Sequence, residues 1–401
     1  MDQSIGTVRR WSLLAIALFA TLFANVFING VAFLIPTLHT DFGLDLARAG
    51  LISAMPKFGM VPTLIAWGYV VDRVGERFVL WVGSALTAAA AVAAAVSAGQ
   101  GPHALLVVAI FLFLGGMAAA SSNSASGRLV VGWFPAEQRG LAMGIRQTAQ
   151  PLGVGLGALV MPQVAQSHGI GAALLFPAAV CAVAAVVCAA AVTDPPRPPR
   201  EEAPAEDLAN PYRDSQTLWR IHAVSVLLVV PQALVWTFAL VWLMSERGWS
   251  PASAGALVTV TQILGAFGRI GAGRWSDRMG ARLRPIRIIA ASAAASMALL
   301  AFTDYLPSAW SIAALVVASV VTVSDNGLAF TAIAEIAGPF WSGRALGAQN
   351  TSQLLATGLT APVFGGLIGA AGYPLAFAVC AVFPLLAIPV VPDDPPRLPL
   401  A

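Results

Sequence analysis

The sequence predicts an all-α membrane protein, with twelve transmembrane helices in two pseudo-symmetric six-helix bundles. Three observations carry that expectation. Only 10% of the 401 residues are charged and 58% are hydrophobic, whereas a water-facing globule has about a quarter of its residues charged. Apolar runs long enough to cross a bilayer, roughly 20 residues each, recur from end to end. The chain also repeats its own motifs about 205 residues apart.

The spans are expected at 11–37, 49–71, 79–98, 104–132, 140–165, 172–192, 218–243, 251–272, 288–306, 309–335, 345–369 and 373–391. The first outlasts the apolar core of a signal peptide and equivalent runs follow it, so it reads as a span. Between the sixth and seventh, TDPPRPPREEAPAEDLANPYRDSQT (193–217) is Pro-rich, charged and poor in apolar residues, as a solvated linker is. The bundles are therefore placed at 1–192 and 218–401, with 193–217 joining them.

Orientation follows from Lys and Arg, which accumulate on the cytoplasmic side. With the N-terminus inside, fifteen of the 22 fall in cytoplasmic segments, among them Arg9, Arg10, Arg73, Arg77, Arg139, Arg197, Arg200, Arg213, Arg344 and Arg397. Arg48 and Arg247 fall outside. Both termini and the linker are expected in the cytoplasm, with the chain in the cell inner membrane.

The repeat is read by shifting the chain on itself. Gly68-x-x-x-Asp72-Arg73-x-Gly75-x-Arg77 falls on Gly273-x-x-x-Asp277-Arg278-x-Gly280-x-Arg282 at a shift of 205. Ser121-Ser122-Asn123 falls on Ser324-Asp325-Asn326, and Gly140-x-Ala142-x-Gly144 on Gly343-x-Ala345-x-Gly347, at 203. Six helices per repeat is an even number, so the halves run parallel about an axis along the membrane normal.

The segment GYVVDRVGER, repeated as GRWSDRMGAR, resembles the signature loop of the major facilitator superfamily. The likeness extends to the twelve spans and the central linker. It implies alternating access by two halves around a midplane site. It also implies a gate role for Gly68, Asp72, Arg73 and Arg77, and for Asp277, Arg278 and Arg282 in the second copy. An aspartate at such a boundary either pairs with arginine or sits near the N-terminus of a neighbouring helix. The alternative is that the arginines are topology anchors. In the fifth span Gly144, Gly153 and Gly157 match the superfamily's antiporter motif, but Ala158 and Met161-Pro162 depart from it. Trp133–Gly153 looks more like cyanate-permease-like and small organic anion carriers.

Ionised groups at bilayer depth are costly and mark solute paths or internal pairs. Lys57 lies near the middle of the second span, and Gln262 is its repeat partner. Nitrate and nitrite carriers of the superfamily hold their anion with basic residues in these two helices, so Lys57 resembles half of such a clamp; the alternative is a lysine reaching to the interface. Arg146 needs a substrate anion or a carboxylate. Arg128 and Arg269 lie nearer the cytoplasmic ends, as gate pairs, anchors or substrate contacts. Asp325, mid-span in the tenth helix, suits proton coupling, or an ion pair with Arg128 or Arg146. Glu335 is expected at the gate or surface. In this superfamily helices one, four, seven and ten line the cavity, which places Asn123 and Asn326 there. Asn25 and Asn29 share a face of the first span, and Gln232 and Trp236 share one on the seventh. Each pair offers contacts to a solute or to a neighbouring helix.

No phosphate-binding Gly-rich loop, nucleophile–base pair or metal spacing is present, so an enzyme, an ATP-driven pump and a bound cofactor are not expected. Cys181, Cys188 and Cys380 lie in apolar runs as small core residues. A net charge of +3 gives no reason to expect nucleic acid. The expected function is secondary active transport of a small, anionic solute, coupled to protons, by a monomer in the lipid bilayer. The alternative is a proton-coupled antiporter exporting drugs or metabolites.

Overall fold

A computed structural model describes residues 5–44, 46–99, 103–196, 201–213, 215–306 and 309–394. Arg197, Arg200 and Arg397 lie outside the described residues. Among those described, ten helical stretches are long and apolar enough to cross a membrane. Two of these, Ala136–Ala191 and Ser342–Val390, are broken by glycines with non-helical backbone, Gly169 (φ 80°, ψ 172°) and Gly372 (φ 80°, ψ 171°). Each is therefore two spans, and the total is twelve.

The spans are α1 (Thr7–Thr40), α2 (Arg48–Val74), α3 (Glu76–Ser97), α4 (Ala104–Trp133), α5 (136–168), α6 (170–191), α7 (Thr217–Ser245), α8 (Ala252–Met279), α9 (Leu283–Tyr305), α10 (Trp310–Ala337), α11 (342–371) and α12 (373–390). Among the described residues of the linker, Ala205–Leu208 forms a helical turn.

The internal repeat is written into the backbone. Of the glycines with positive φ, Gly43 pairs with Gly248 and Gly75 with Gly280 at a shift of 205, and Gly169 pairs with Gly372 at 203. Breaks recur in the same way. The helix of α4 is interrupted at Ala120, and that of α10 at Thr322–Asp325. Backbone irregularity at membrane depth is tolerated where it is buried in protein or lines a polar space.

The chain divides into two compact units. One holds the chain up to Trp133, Thr148–Ala209 and Ala337–Asn350; the other holds Phe134–Gln147, Asn210–Ile336 and the chain from Thr351 on. The first unit packs through small residues. Gly157 lies against Gly30, Gly153 against Asn25, and Gly116 against the Pro56 backbone, as close helix crossings in lipid require. The second unit is built on a large apolar cluster that includes Trp242, Leu234, Leu300, Leu315 and Phe377. The indole of Trp242 meets the Phe377 ring edge-on at 6.1 Å. All three cysteines are buried and free.

Candidate functional site

The signature loop differs in one respect from the expected boundaries. Asp72 and Asp277 lie inside the last turns of α2 and α8, not beyond them. The helices stop only at Gly75 (φ 109°) and Gly280 (φ 57°), where a side chain would be strained.

In the first unit, Asp72 is buried and accepts the backbone N–H groups of Gly343 (2.8 Å) and Arg344 (3.1 Å) at the start of α11. Arg344 Nε donates to it at 3.0 Å. Arg128, also buried, reaches Asp72 at 3.3 Å and Glu76 at 3.3 Å, and donates to the Val71 and Pro339 carbonyls. The mutual approach of Gly68 and Gly343 makes this possible, since a Cβ on either meets the other's carbonyl oxygen.

The second unit repeats the design. Asp277 accepts the N–H groups of Gly140 (2.9 Å) and Leu141 (2.7 Å) in the opening turns of α5. Gly273 and Gly140 are in the same mutual contact. The surrounding charges have changed places. Arg282 binds Asp277 at 2.6 Å and Glu335 at 3.2 Å, and Arg139 binds Glu335 at 3.3 Å. Burial works against the Arg282 charge, but Glu335 and Asp277 more than offset it and raise its pKa above the ordinary arginine value.

The remaining arginines of the motif do other things. Arg77 turns back to its own unit, donating from its N–H to Asp194 at 2.7 Å and from Nε to the Ala189 carbonyl at 2.9 Å. Asp394 does the equivalent for the second loop, accepting N–H bonds from Arg282 (2.7 Å), Leu283 (2.7 Å) and Arg284 (2.9 Å). Asp194-Pro195-Pro196-Arg197 and Asp394-Pro395-Pro396-Arg397 are thus a further copy of the repeat that the motif comparison missed. Arg73 is exposed and lies 5.1 Å from the Tyr69 ring centre. Arg278 is exposed with no ion pair among the described residues.

The second unit also holds buried charged groups within its spans. Arg269 is buried, with its guanidinium 5.7 Å from the Trp236 ring centre and Nη1 donating to the Gln147 carbonyl at 3.0 Å. Asp325 is buried, and Arg269 is the cation whose charge acts on it. That is neither of the partners expected from the sequence, because Arg128 is held by Asp72 and Glu76 in the first unit. Arg146 is buried, 5.8 Å from the Phe330 ring centre. Asn326 donates to Gln232 at 2.8 Å and accepts from Gln353 at 3.3 Å, tying α7, α10 and α11 together. A narrow cleft is lined by Trp236, Thr261, Gln262, Gly265, Arg269, Ser319 and Val323. Sequence reasoning placed Arg269 too near the cytoplasmic end and overlooked Gln353. The signal for Arg269 was its spacing: Gln262, Gly265 and Arg269 fall at helical intervals on one face of α8.

In the first unit, Asn25 donates to the Thr21 carbonyl at 2.8 Å, and Asn29 to the Asn25 side chain at 3.2 Å. Asn123 follows the α4 break and is half-buried. Lys57 is exposed, yet Ser53, Met60 and Leu64 on its stripe of α2 are buried. Among the described residues nothing pairs with its ammonium.

The profile of the Major Facilitator Superfamily matches residues 15–361. The chain belongs to this superfamily. It is 56% identical over 387 residues to a protein of Mycobacterium tuberculosis (strain ATCC 25618 / H37Rv) described as an uncharacterized MFS-type transporter, covering 96% of this chain and 86% of the relative. It is 25% identical to a gallate transporter of Pseudomonas putida, covering 95% and 89%. Among solved structures, the proton:xylose symporter XylE superposes with a TM-score of 0.79 over 97% of both chains, at 17% identity. The human organic anion transporter MFSD10 does so with a TM-score of 0.74 over 96% of this chain and 99% of that one, at 17% identity. At those identities the likeness is one of fold. The chain is therefore an MFS transporter, which carries small-molecule solutes across a membrane, and not an enzyme.

Proposed function

We propose that this MFS transporter moves a small organic anion across the inner membrane by alternating access, coupled to protons. One observation carries the reading. Inside the second unit Arg269 is buried on α8 beside Trp236 and lines a cleft with the polar side chains of Thr261, Gln262 and Ser319, and the carboxylate of Asp325 is buried in the same unit. Arg146 is a further buried arginine of that unit. A buried guanidinium at bilayer depth attracts an anion. The gallate transporter among its relatives supports an organic acid as that anion.

Coupling follows from competition for one guanidinium. When Asp325 is ionised it neutralises Arg269. When a proton neutralises Asp325, Arg269 is left to a substrate carboxylate, so proton and anion enter together. Loss of the proton restores the internal pair and expels the anion. Gln232, Asn326 and Gln353 supply hydrogen bonds at the same level. Lys57, Gln262, Asn25, Asn29 and Asn123 are further solute contacts. The two signature loops, with Arg128, are the gate. The working halves are 1–192 and 218–401, joined by a cytoplasmic linker at 193–217 with both termini inside, and the transporter acts as a monomer.

The test is uptake of small carboxylates, gallate first, into proteoliposomes under an imposed pH gradient. Saturable, gradient-driven uptake is expected from the wild type. Asp325→Asn should retain exchange of anion for anion and lose gradient-driven accumulation, and Arg269→Gln should lose both. Accumulation that survives in Asp325→Asn, or indifference of the wild type to every carboxylate, overturns the reading.

A further inference from the structure

Arg274 and Arg278 take no part in either network described above. Both are exposed on α8, one turn apart, and neither has an ion pair or hydrogen bond among the described residues. They end a stripe of positions 260, 264, 267, 271, 274 and 278, whose steps of four and three keep one face of a helix. Val260, Leu264 and Phe267 on that stripe are exposed, Phe267 by 66%. Gly271 has nothing within 4 Å of where a side chain would begin, so a notch lies one turn before Arg274. The other faces of α8 are occupied. Gly265 and Gly268 pack on Val323 and Val320 of α10, and Gly273 and Asp277 engage Gly140.

We propose that this stripe binds an anionic phospholipid, with its phosphate on Arg274 and Arg278 and an acyl chain lying through the Gly271 notch along Phe267 and Leu264. The dimensions agree. Leu264 is ten residues from Arg274, about 15 Å along the axis, which is half the thickness of a bilayer's hydrocarbon core. A guanidinium pair suits a phosphate oxyanion, and juxtamembrane arginines gain affinity from anionic lipid. The continuous apolar track argues for a lipid over a soluble phosphate. The first half lacks the pair, because Tyr69 stands where the second has Arg274, and Arg73 lies over its ring.

Native mass spectrometry of the full chain supplied with phosphatidylglycerol or phosphatidylcholine tests the site. Wild type should retain phosphatidylglycerol in preference to phosphatidylcholine. Arg274→Gln/Arg278→Gln should lower that retention on the order of tenfold, whereas Arg73→Gln/Arg284→Gln, equal in charge removed, should not. Glycerol phosphate should fail to compete. Equal loss in both double variants, no loss in either, equal retention of the two lipids, or displacement by glycerol phosphate would each overturn the assignment.

Discussion

The carboxylate of Asp72 accepts the backbone N–H of Gly343 at 2.8 Å. The residues stand 271 positions apart, and the repeat carries one to Asp277 and the other to Gly140, which make the same bond at 2.9 Å. The two copies are alike in geometry and unlike in the charges that support them.

That asymmetry fixes an order of cost. Asp72 neutralises Arg128 in a site where both side chains are buried, 1% and 4% exposed. Asp72→Ala removes one partner of a buried pair, an effect of about 3–5 kcal/mol, softened here because Glu76 remains. Asp277→Ala leaves Arg282 with Glu335, and the loss is closer to about 1–2 kcal/mol. Thermal melts of the purified variants should show the larger fall for Asp72→Ala; the reverse order would refute the account.

Gly273 and Gly271 are two residues apart and should respond with opposite signs. A methyl on Gly273 meets the Gly140 carbonyl, whereas one on Gly271 meets nothing. Gly273→Ala should cost about 1–3 kcal/mol by overpacking and slow transport, because α5 and α8 no longer close on each other. Gly271→Ala should gain up to about 1 kcal/mol from helix propensity. Melting temperatures that move the same way would show that the close crossing is not what selects glycine.

Asp393 and Asp394 are neighbours with unequal jobs. Asp394 takes three N–H groups at the start of α9, and Asp394→Ala should cost about 1–2 kcal/mol as the loss of a helix cap. Asp393 meets Arg287 from a side chain 93% exposed, and Asp393→Ala should leave the melt unchanged. Truncation after Asp393 should reproduce the Asp394 effect.

How much of this was readable in advance depended on whether the signal was periodic or pairwise. Hydropathy and the repeat fixed the twelve spans, and the Gly and Asp positions of the signature loop were legible because backbone contacts constrain them in both halves. The partners of the charges were not. As single arginines in apolar runs, Arg128, Arg146 and Arg269 do not announce their neighbours, and only the packing of α2, α4, α8 and α10 decides that Arg128 meets Asp72 and that Arg269 is the cation acting on Asp325. The Asp-Pro-Pro-Arg copies escaped notice because a loop of different length shifts them by 200 residues, not 203 or 205.

Lys57 separates function from stability. Its ammonium sits on a stripe of α2 flanked by buried Ser53, Met60 and Leu64, without a partner among the described residues. An unpaired charge at that depth costs about 2.5–3.5 kcal/mol on insertion scales, a cost a folding argument gives no reason to keep. Lys57→Met retains the long apolar stem and removes the charge. The variant should melt at a higher temperature than the wild type and take up organic anion more slowly, with the loss expressed mainly in KM. A higher melting temperature with unchanged uptake would make Lys57 a bystander, and a lower melting temperature would show that the ammonium has a structural partner after all.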